Sequence, residues 1–319
     1  MSRQVELPGP HIDVSAVGFG CGGLMQAPSR RDRMAVLGAA LTGGITHFDT
    51  ARMYGLGMAE AELGRFLRSV PRDTVTIATK FGIDVSGMTR RLAPLQSPAR
   101  AVLRSVPALR RAAKQQHDVD KTIRHYDAAV AARSLDQSLA ALGVDYVDIL
   151  FVHDPGPFDT VAVDELRSFF DHARQLGKIR AWGVAQDRPR NVDLALEFDP
   201  EGVSQVRADL FSPSSRPADF AFGVINRSMT TISGALRADS RLADRWRESL
   251  GVDPLTPRTL LRLILGSSPT ATNCRVVLYS STDPKRVADA AHATSKPLDR
   301  DLAARFLALA RELSPVGAA

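Results

Sequence analysis

Short apolar, β-prone runs alternate along most of the chain with longer stretches in which apolar positions recur every three to four residues. Residues 3–7 and 11–15 flank Pro8-Gly9-Pro10 as two short alternating segments, which predicts a small hairpin ahead of the main pattern. Residues 14–19 then run as a strand into the glycine loop Gly18 to Gly23. Further strands are predicted at 45–48, 75–80, 146–152, 179–184, 203–206, 221–225 and 275–279, the last-but-one ending in Asn226-Arg227-Ser228. Helical spacing falls at 31–41, 58–68, 127–142, 161–176, 257–265, from Pro284 to about Ala293, and 298–313. Gly177-Lys178 closes one of these helices at a position that favours glycine. Residues 156–160 and 228–253 read as loops.

Eight strands alternating with helices predict a parallel (β/α)8 barrel, closed so that no strand edge is left open. Neither a second composition regime nor a linker interrupts residues 1–319, so the expectation is one barrel domain. In such a barrel the carboxyl ends of the strands share one face, and that face carries the chemistry. The segment 85–117 breaks the rhythm after the third strand. It holds no Asp or Glu, yet carries Arg90, Arg91, Arg100, Arg104, Arg110, Arg111 and Lys114. Ser97-Pro98 and Ser105-Val106-Pro107 look like helix starts inside it. This insertion is read as a rim excursion, a lid, or a basic contact for an anionic ligand, a membrane surface or an acidic partner.

Composition narrows the class. Hydrophobic content of 44% and charged content of 24% are those of an ordinary globular protein. No apolar run follows a basic start in residues 1–14, and no stretch approaches a membrane span, so a cytoplasmic location is expected. Two distant cysteines, Cys21 and Cys274, and seven scattered histidines form neither a redox pair nor a metal spacing. The net charge of +6 is concentrated in the insertion, which lacks the aromatic interleaving of single-strand binders; nucleic acid is therefore not an expected partner.

Candidate chemistry gathers at three neighbouring strand ends. Asp49 and Tyr54 follow the second strand, Lys80 ends the third and His153 ends the fourth. A phenol is a weak acid, with an ordinary pKa near ~10. A nearby ammonium shifts it down, and a carboxylate keeps that ammonium charged and oriented. Asp49, Lys80 and Tyr54 can thus form a proton relay, while a neutral His153 could polarise the same carbonyl oxygen. Carbonyl reduction also needs a hydride donor, which no side chain supplies, so a nicotinamide cofactor is implied.

The segments Phe48-Asp49-Thr50-Ala51-Arg52-Met53-Tyr54-Gly55, Thr79-Lys80-Phe81-Gly82 and Tyr146 through His153, in that order, resemble the aldo-keto reductase superfamily across nearly the whole chain. By that resemblance Tyr54 is the general acid, Lys80 lowers its pKa, Asp49 supports Lys80 and His153 orients the substrate. The resemblance also implies that Gln205 holds the nicotinamide carboxamide, with Gln186 as a substitute for a family asparagine. It puts Ser281 and Arg286 at the adenosine 2'-phosphate, Asp289 near the adenine, and Ser280 where a lysine is common. Arg227 takes the place of a stacking aromatic, with Ser228 beside it. NADP(H) is favoured over NAD(H), no metal is implied, and the substrate is an aldehyde or ketone. His153-Asp154-Pro155 resembles the branch that oxidises aldoses at the anomeric carbon, so a sugar 1-dehydrogenase is the alternative. A non-catalytic nucleotide-binding regulator, like the potassium-channel β subunits that share this fold, is another.

Overall fold

The computed structural model describes residues 3–85, 122–156, 158–187 and 202–313. Elements are numbered here within those residues. Strands β1 (Gln4–Leu7) and β2 (Ile12–Ser15) pair antiparallel as the expected hairpin. The barrel strands are β3 (Val17–Gly20), β4 (His47–Asp49), β5 (Thr76–Phe81), β8 (Val147–His153), β9 (Ile179–Gln186), β10 (Val203–Arg207), β11 (Ala218–Phe222) and β12 (Cys274–Tyr279). All are parallel, and they close in the order β3-β4-β5-β8-β9-β10-β11-β12 back to β3. Around them pack α1 (Arg30–Thr42), α2 (Ala59–Leu67), α3 (Ala128–Leu142), α4 (Val163–Gln175), α5 (Val224–Ala238), α6 (Ser240–Leu250), α7 (Pro257–Thr272), α8 (Pro284–Ala293) and α9 (Arg300–Glu312). The fold is the (β/α)8 barrel that the alternation predicts.

Strand alternation decides what faces the barrel axis. Ala78, Ile149, Phe151, Ala185, Val203, Phe220 and Val276 form the inner core, while Phe19, Phe48, Ile77, Leu150 and Val277 pack outward against the helices. The hairpin plugs the amino-terminal end, because Leu7, Ile12 and Val14 join the inner core. There the Ser15 hydroxyl accepts from the backbone N–H of Thr46 and His47 at the start of β4. Counting outward from Ala78, Ile149 and Val203 in steps of two reaches Lys80, His153 and Gln205, and Asp49 follows His47 on β4 in the same way. Four polar side chains therefore share the inward layer at the carboxyl end.

Three expectations need correction. The seventh strand is β11 at Ala218–Phe222, three residues earlier than predicted. Gly223 (φ 81°) ends it in the left-handed region and starts α5, so Asn226, Arg227 and Ser228 lie on a helix and not at a strand end. The β-branched pair Val224-Ile225 reads locally as strand, but in the barrel it is the first turn of α5. Residues 228–253, expected as a loop, are largely α5 and α6, the latter capped by the Asp239 carboxylate and burying Trp246 against Phe306. Finally, β6 (Ile83–Val85) and β7 (Thr122–Arg124) form an unforeseen antiparallel pair after β5. The basic insertion lies outside the described residues, apart from Val85. Among the described residues no helix is long and apolar enough to cross a membrane.

Candidate active site

Lys80 is the centre of the inward polar layer. Its Nζ donates to Asp49 Oδ1 at 2.5 Å and to the Thr50 carbonyl at 2.9 Å. Both residues are buried, at 2% and 3% exposure, so water does not screen the pair. Asp49 Oδ1 also accepts from Gln205 Nε2 at 3.2 Å. Tyr54 stands on the 3-10 turn Tyr54–Gly57, whose Gly55 and Leu56 adopt left-handed angles. Its ring lies 5.1 Å from Lys80 Nζ and meets the His153 imidazole edge-on at 5.8 Å between centroids.

Burial is the largest influence on each of these groups. It pushes the Tyr54 phenol up, Lys80 pulls the other way, and Asp49 adds to the rise. The expected lowering of Tyr54 by Lys80 is thus present as a pull but outweighed. Asp49 is likewise raised by burial against the opposing effects of Lys80 and Gln205. For Lys80 burial acts downward, but Asp49 and Tyr54 outweigh it and hold the ammonium above its ordinary range. Burial, then Lys80 and Arg124, depress His153 well below its ordinary value, so its ring is neutral near pH 7.

These residues line one cavity of about 900 Å³ at the carboxyl end of the barrel. Asp49, Tyr54, Lys80, His153, Gln186, Gln205, Ser280, Ser281, Arg286 and Asp289 all contribute to its wall. Gly20, Gly22 and Gly23 do so with backbone alone; a Cβ on Gly22 would make an ordinary contact 3.7 Å from the Tyr54 ring, whereas one on Gly23 would crowd Ser280 Oγ at 3.2 Å. Arg227 and Ser228 are not part of the wall. The Arg227 guanidinium donates to Ser212 Oγ at 2.7 Å and Asp209 Oδ2 at 3.3 Å and covers Phe211, because the first turn of α5 aims it at the 209–212 turn. Ser228 is fully buried and meets the Leu210 backbone.

The wall also includes cations that no sequence motif singles out. Arg124 comes from β7 beside His153, Arg207 ends β10 paired with Asp187, and Arg258 on the first turn of α7 grips Asp289, its Nε 2.7 Å from Oδ1. Only the spacing of Arg258 after the helix-opening Pro257 hints at a helix start, and nothing in the sequence marks the cavity it faces. On α8 the Asp283 carboxylate caps the helix by accepting from Lys285 N–H and stands 3.6 Å from Arg286. Among the described residues, three buried polar atoms on the wall lack a protein partner: Gln205 Oε1, Gln186 Nε2 and His153 Nδ1. Buried polar atoms ordinarily find partners, so these point to a ligand that completes them. An acceptor on one glutamine and a donor on the other suit a carboxamide, which offers both an N–H and a carbonyl. Among the described residues no three His, Cys, Asp or Glu side chains gather to hold a metal.

A model of the aldo/keto reductase family matches residues 16–216. D-threo-aldose 1-dehydrogenase of a Pseudomonas species is 33% identical over 179 residues, covering 54% of this chain and 50% of that protein. The chain spans about half the length of the curated relatives it matches first. Among solved structures, glycerol dehydrogenase from Gluconobacter oxydans superposes with a TM-score of 0.70 at 20% identity, covering 99% and 98% of the two chains. An aldo-keto reductase from Klebsiella pneumoniae in complex with NADPH does so with a TM-score of 0.61 at 18% identity, covering 99% and 97%. At such identities the two structures share the fold.

Proposed function

The chain belongs to the aldo/keto reductase family, and we propose that it is an NADP(H)-dependent oxidoreductase that reduces an aldehyde or ketone to an alcohol. The observation that carries this reading is the buried Asp49–Lys80 pair beside Tyr54 and a neutral His153, all on the wall of one cavity with unpartnered glutamine amides. Gln205 and Gln186 would hold a nicotinamide carboxamide; Ser280, Ser281 and Arg286 would take the adenosine phosphate, with Arg258 and Asp289 beside them. A bound nicotinamide supplies the hydride. Tyr54 Oη gives its proton to the substrate oxygen, and the phenolate that remains is compensated by the Lys80 ammonium. Asp49 keeps Lys80 charged and aimed, which the raised Lys80 pKa supports. His153, uncharged, donates to the same oxygen and so orients the carbonyl without competing for the proton.

The same groups run in reverse for oxidation, by microscopic reversibility. That second reading, oxidation of an aldose at its anomeric carbon, is favoured by the Pseudomonas relative and by the His153-Asp154-Pro155 sequence. Parallel fluorescence titrations with NADPH and NADH, on wild type and Arg286→Ala, test the cofactor assignment. NADPH binding that weakens tenfold or more in the variant, with NADH binding little changed, is the expected result. Turnover of aldehydes or aldoses that disappears in Tyr54→Phe while NADPH still binds supports the proton role; full activity in that variant refutes it.

A further inference from the structure

The segment inserted after β5 returns to the barrel through β7, and the two side chains it brings back both reach the residue pair His153-Asp154. Tyr126 Oη donates to the His153 carbonyl at 2.8 Å, and Arg124 Nη1 donates to the Asp154 carbonyl at 2.9 Å. We infer that Arg124 and Tyr126 are positioning residues for His153, locking the turn that follows it and thereby setting where its ring stands against the substrate oxygen. The inference rests on the role proposed above for His153.

Three features make this turn one that needs holding. His153 is the last residue of β8 in register with β9, opposite Ala185, so the ladder that guides the chain ends there. Asp154 then turns to φ 43°, a left-handed angle that is unfavourable for a non-glycine residue. On one side the turn is tied to β9 through Asp154 N–H to the Ala185 carbonyl and Asp187 N–H to Asp154 Oδ1. On the other side the carbonyls of His153 and Asp154 accept from the two returning residues.

The clamp is itself rigid. Arg124 pairs in register with Ile83, His125 N–H donates to the Gly82 carbonyl, and Ala162 N–H donates to the Tyr126 carbonyl. Tyr126 therefore bridges the exit of the strand that carries Lys80 and the start of α4. Its ring occupies the space a Cβ on Gly82 would need, the nearest atom standing 2.1 Å from that position, which explains glycine there at φ 105°. The Asp159 carboxylate, 3.4 Å from Arg124 Nη1, also accepts from Gly156 N–H, which ties Gly156 to the same guanidinium. Among the described residues the His153 ring has no hydrogen-bond partner at Nδ1, so its placement depends on its edge-on contact with Tyr54 and on the backbone beneath it.

The test uses the full chain with NADPH and 4-nitrobenzaldehyde, and compares wild type, Tyr126→Phe, Arg124→Gln and Arg124→Lys. Each loss of a hydrogen bond is expected to lower kcat/KM for the aldehyde about threefold to tenfold, mainly through KM, while the NADPH dissociation constant stays within about twofold. Arg124→Lys recovers part of the loss, and the Tyr126→Phe/Arg124→Gln double variant loses less than the product of the two because both hold one turn. Unchanged kcat/KM overturns the inference. So does a parallel fall in NADPH affinity and melting temperature, which marks a general structural role. Should Tyr126→Phe fail to fold, the partly exposed Arg124→Gln decides alone. A wild type that binds NADPH yet reduces no carbonyl overturns the enzymatic reading and this inference with it, whereas active wild type with unaffected variants overturns the inference alone.

Discussion

Replacing Lys80 with methionine keeps the length of the side chain and removes its charge, leaving the Asp49 carboxylate in the inner core with Gln205 Nε2 as its remaining side-chain donor. The destabilisation has a ceiling, because a carboxylate that cannot be solvated takes up a proton. Starting from an ordinary value near 3.9 in the unfolded chain, protonation on folding costs about 4 kcal/mol at pH 7, about 3 kcal/mol at pH 6 and about 1.5 kcal/mol at pH 5. Breaking a buried ion pair by deleting one partner costs about 3–5 kcal/mol, so the two routes agree near neutrality. The sign follows from burial: in the variant the folded-state pKa of Asp49 lies above the unfolded value, so stability falls as pH rises through the carboxylate range and beyond. Wild type keeps Lys80 charged throughout this window, and because Lys80 opposes the burial that raises Asp49, the wild-type carboxylate that stays ionised beside it provides the baseline. Urea unfolding of wild type and Lys80→Met at pH 5, 6 and 7 measures the difference. A deficit that grows by about 1.4 kcal/mol per pH unit bears out the argument; one that is the same at all three values would show that Asp49 does not carry the uncompensated charge.

Two further predictions follow from buried groups elsewhere. Burial depresses His47 to about 3 and holds His153 well below its ordinary value, so the unfolded chain binds more protons than the folded one below about pH 6.5. Stability should fall on acidification with a slope approaching ~1.4 kcal/mol per pH unit for each histidine, and a flat wild-type profile between pH 6 and 4.5 would contradict the neutral assignments. Gly183→Ala would put a Cβ 1.7 Å from the Val203 carbonyl oxygen and push β9 from β10, at an expected cost of about 3 kcal/mol or more. Gly143→Ala, with nothing within 4 Å of its Cβ but φ 67°, should cost only about 1 kcal/mol, and thermal melting that reverses this order refutes the packing argument.

The barrel was legible because its signal is local. Short apolar runs such as Val147–His153 and period-3.6 runs such as Ala128–Leu142 identify their own elements, and the pleat then puts His153 on the face of Ile149 and Lys80 on the face of Ala78. Where two local signals conflicted, the reading slipped. Val224-Ile225 carried strand propensity into what Gly223 turns into a helix, so Arg227 and Ser228, placed at the cofactor by resemblance, stand on α5 and outside the cavity wall. The pairing of β6 with β7 joins segments on either side of an insertion, and no pattern within either segment announces it.

By itself the sequence determined the architecture and the identity of the polar residues that end the strands, since these depend on short apolar runs and 3.6-residue periods along a connected chain. Only the tertiary structure decided what those residues meet. Closure of the barrel brings Gln205 to Asp49 across 156 positions, aims Arg227 away from the cavity, and sets Arg124 and Tyr126 on the turn after His153. It also decides the direction in which each ionisable group moves, because desolvation is a property of everything packed around a side chain, and it outweighs the pull of Lys80 on Tyr54.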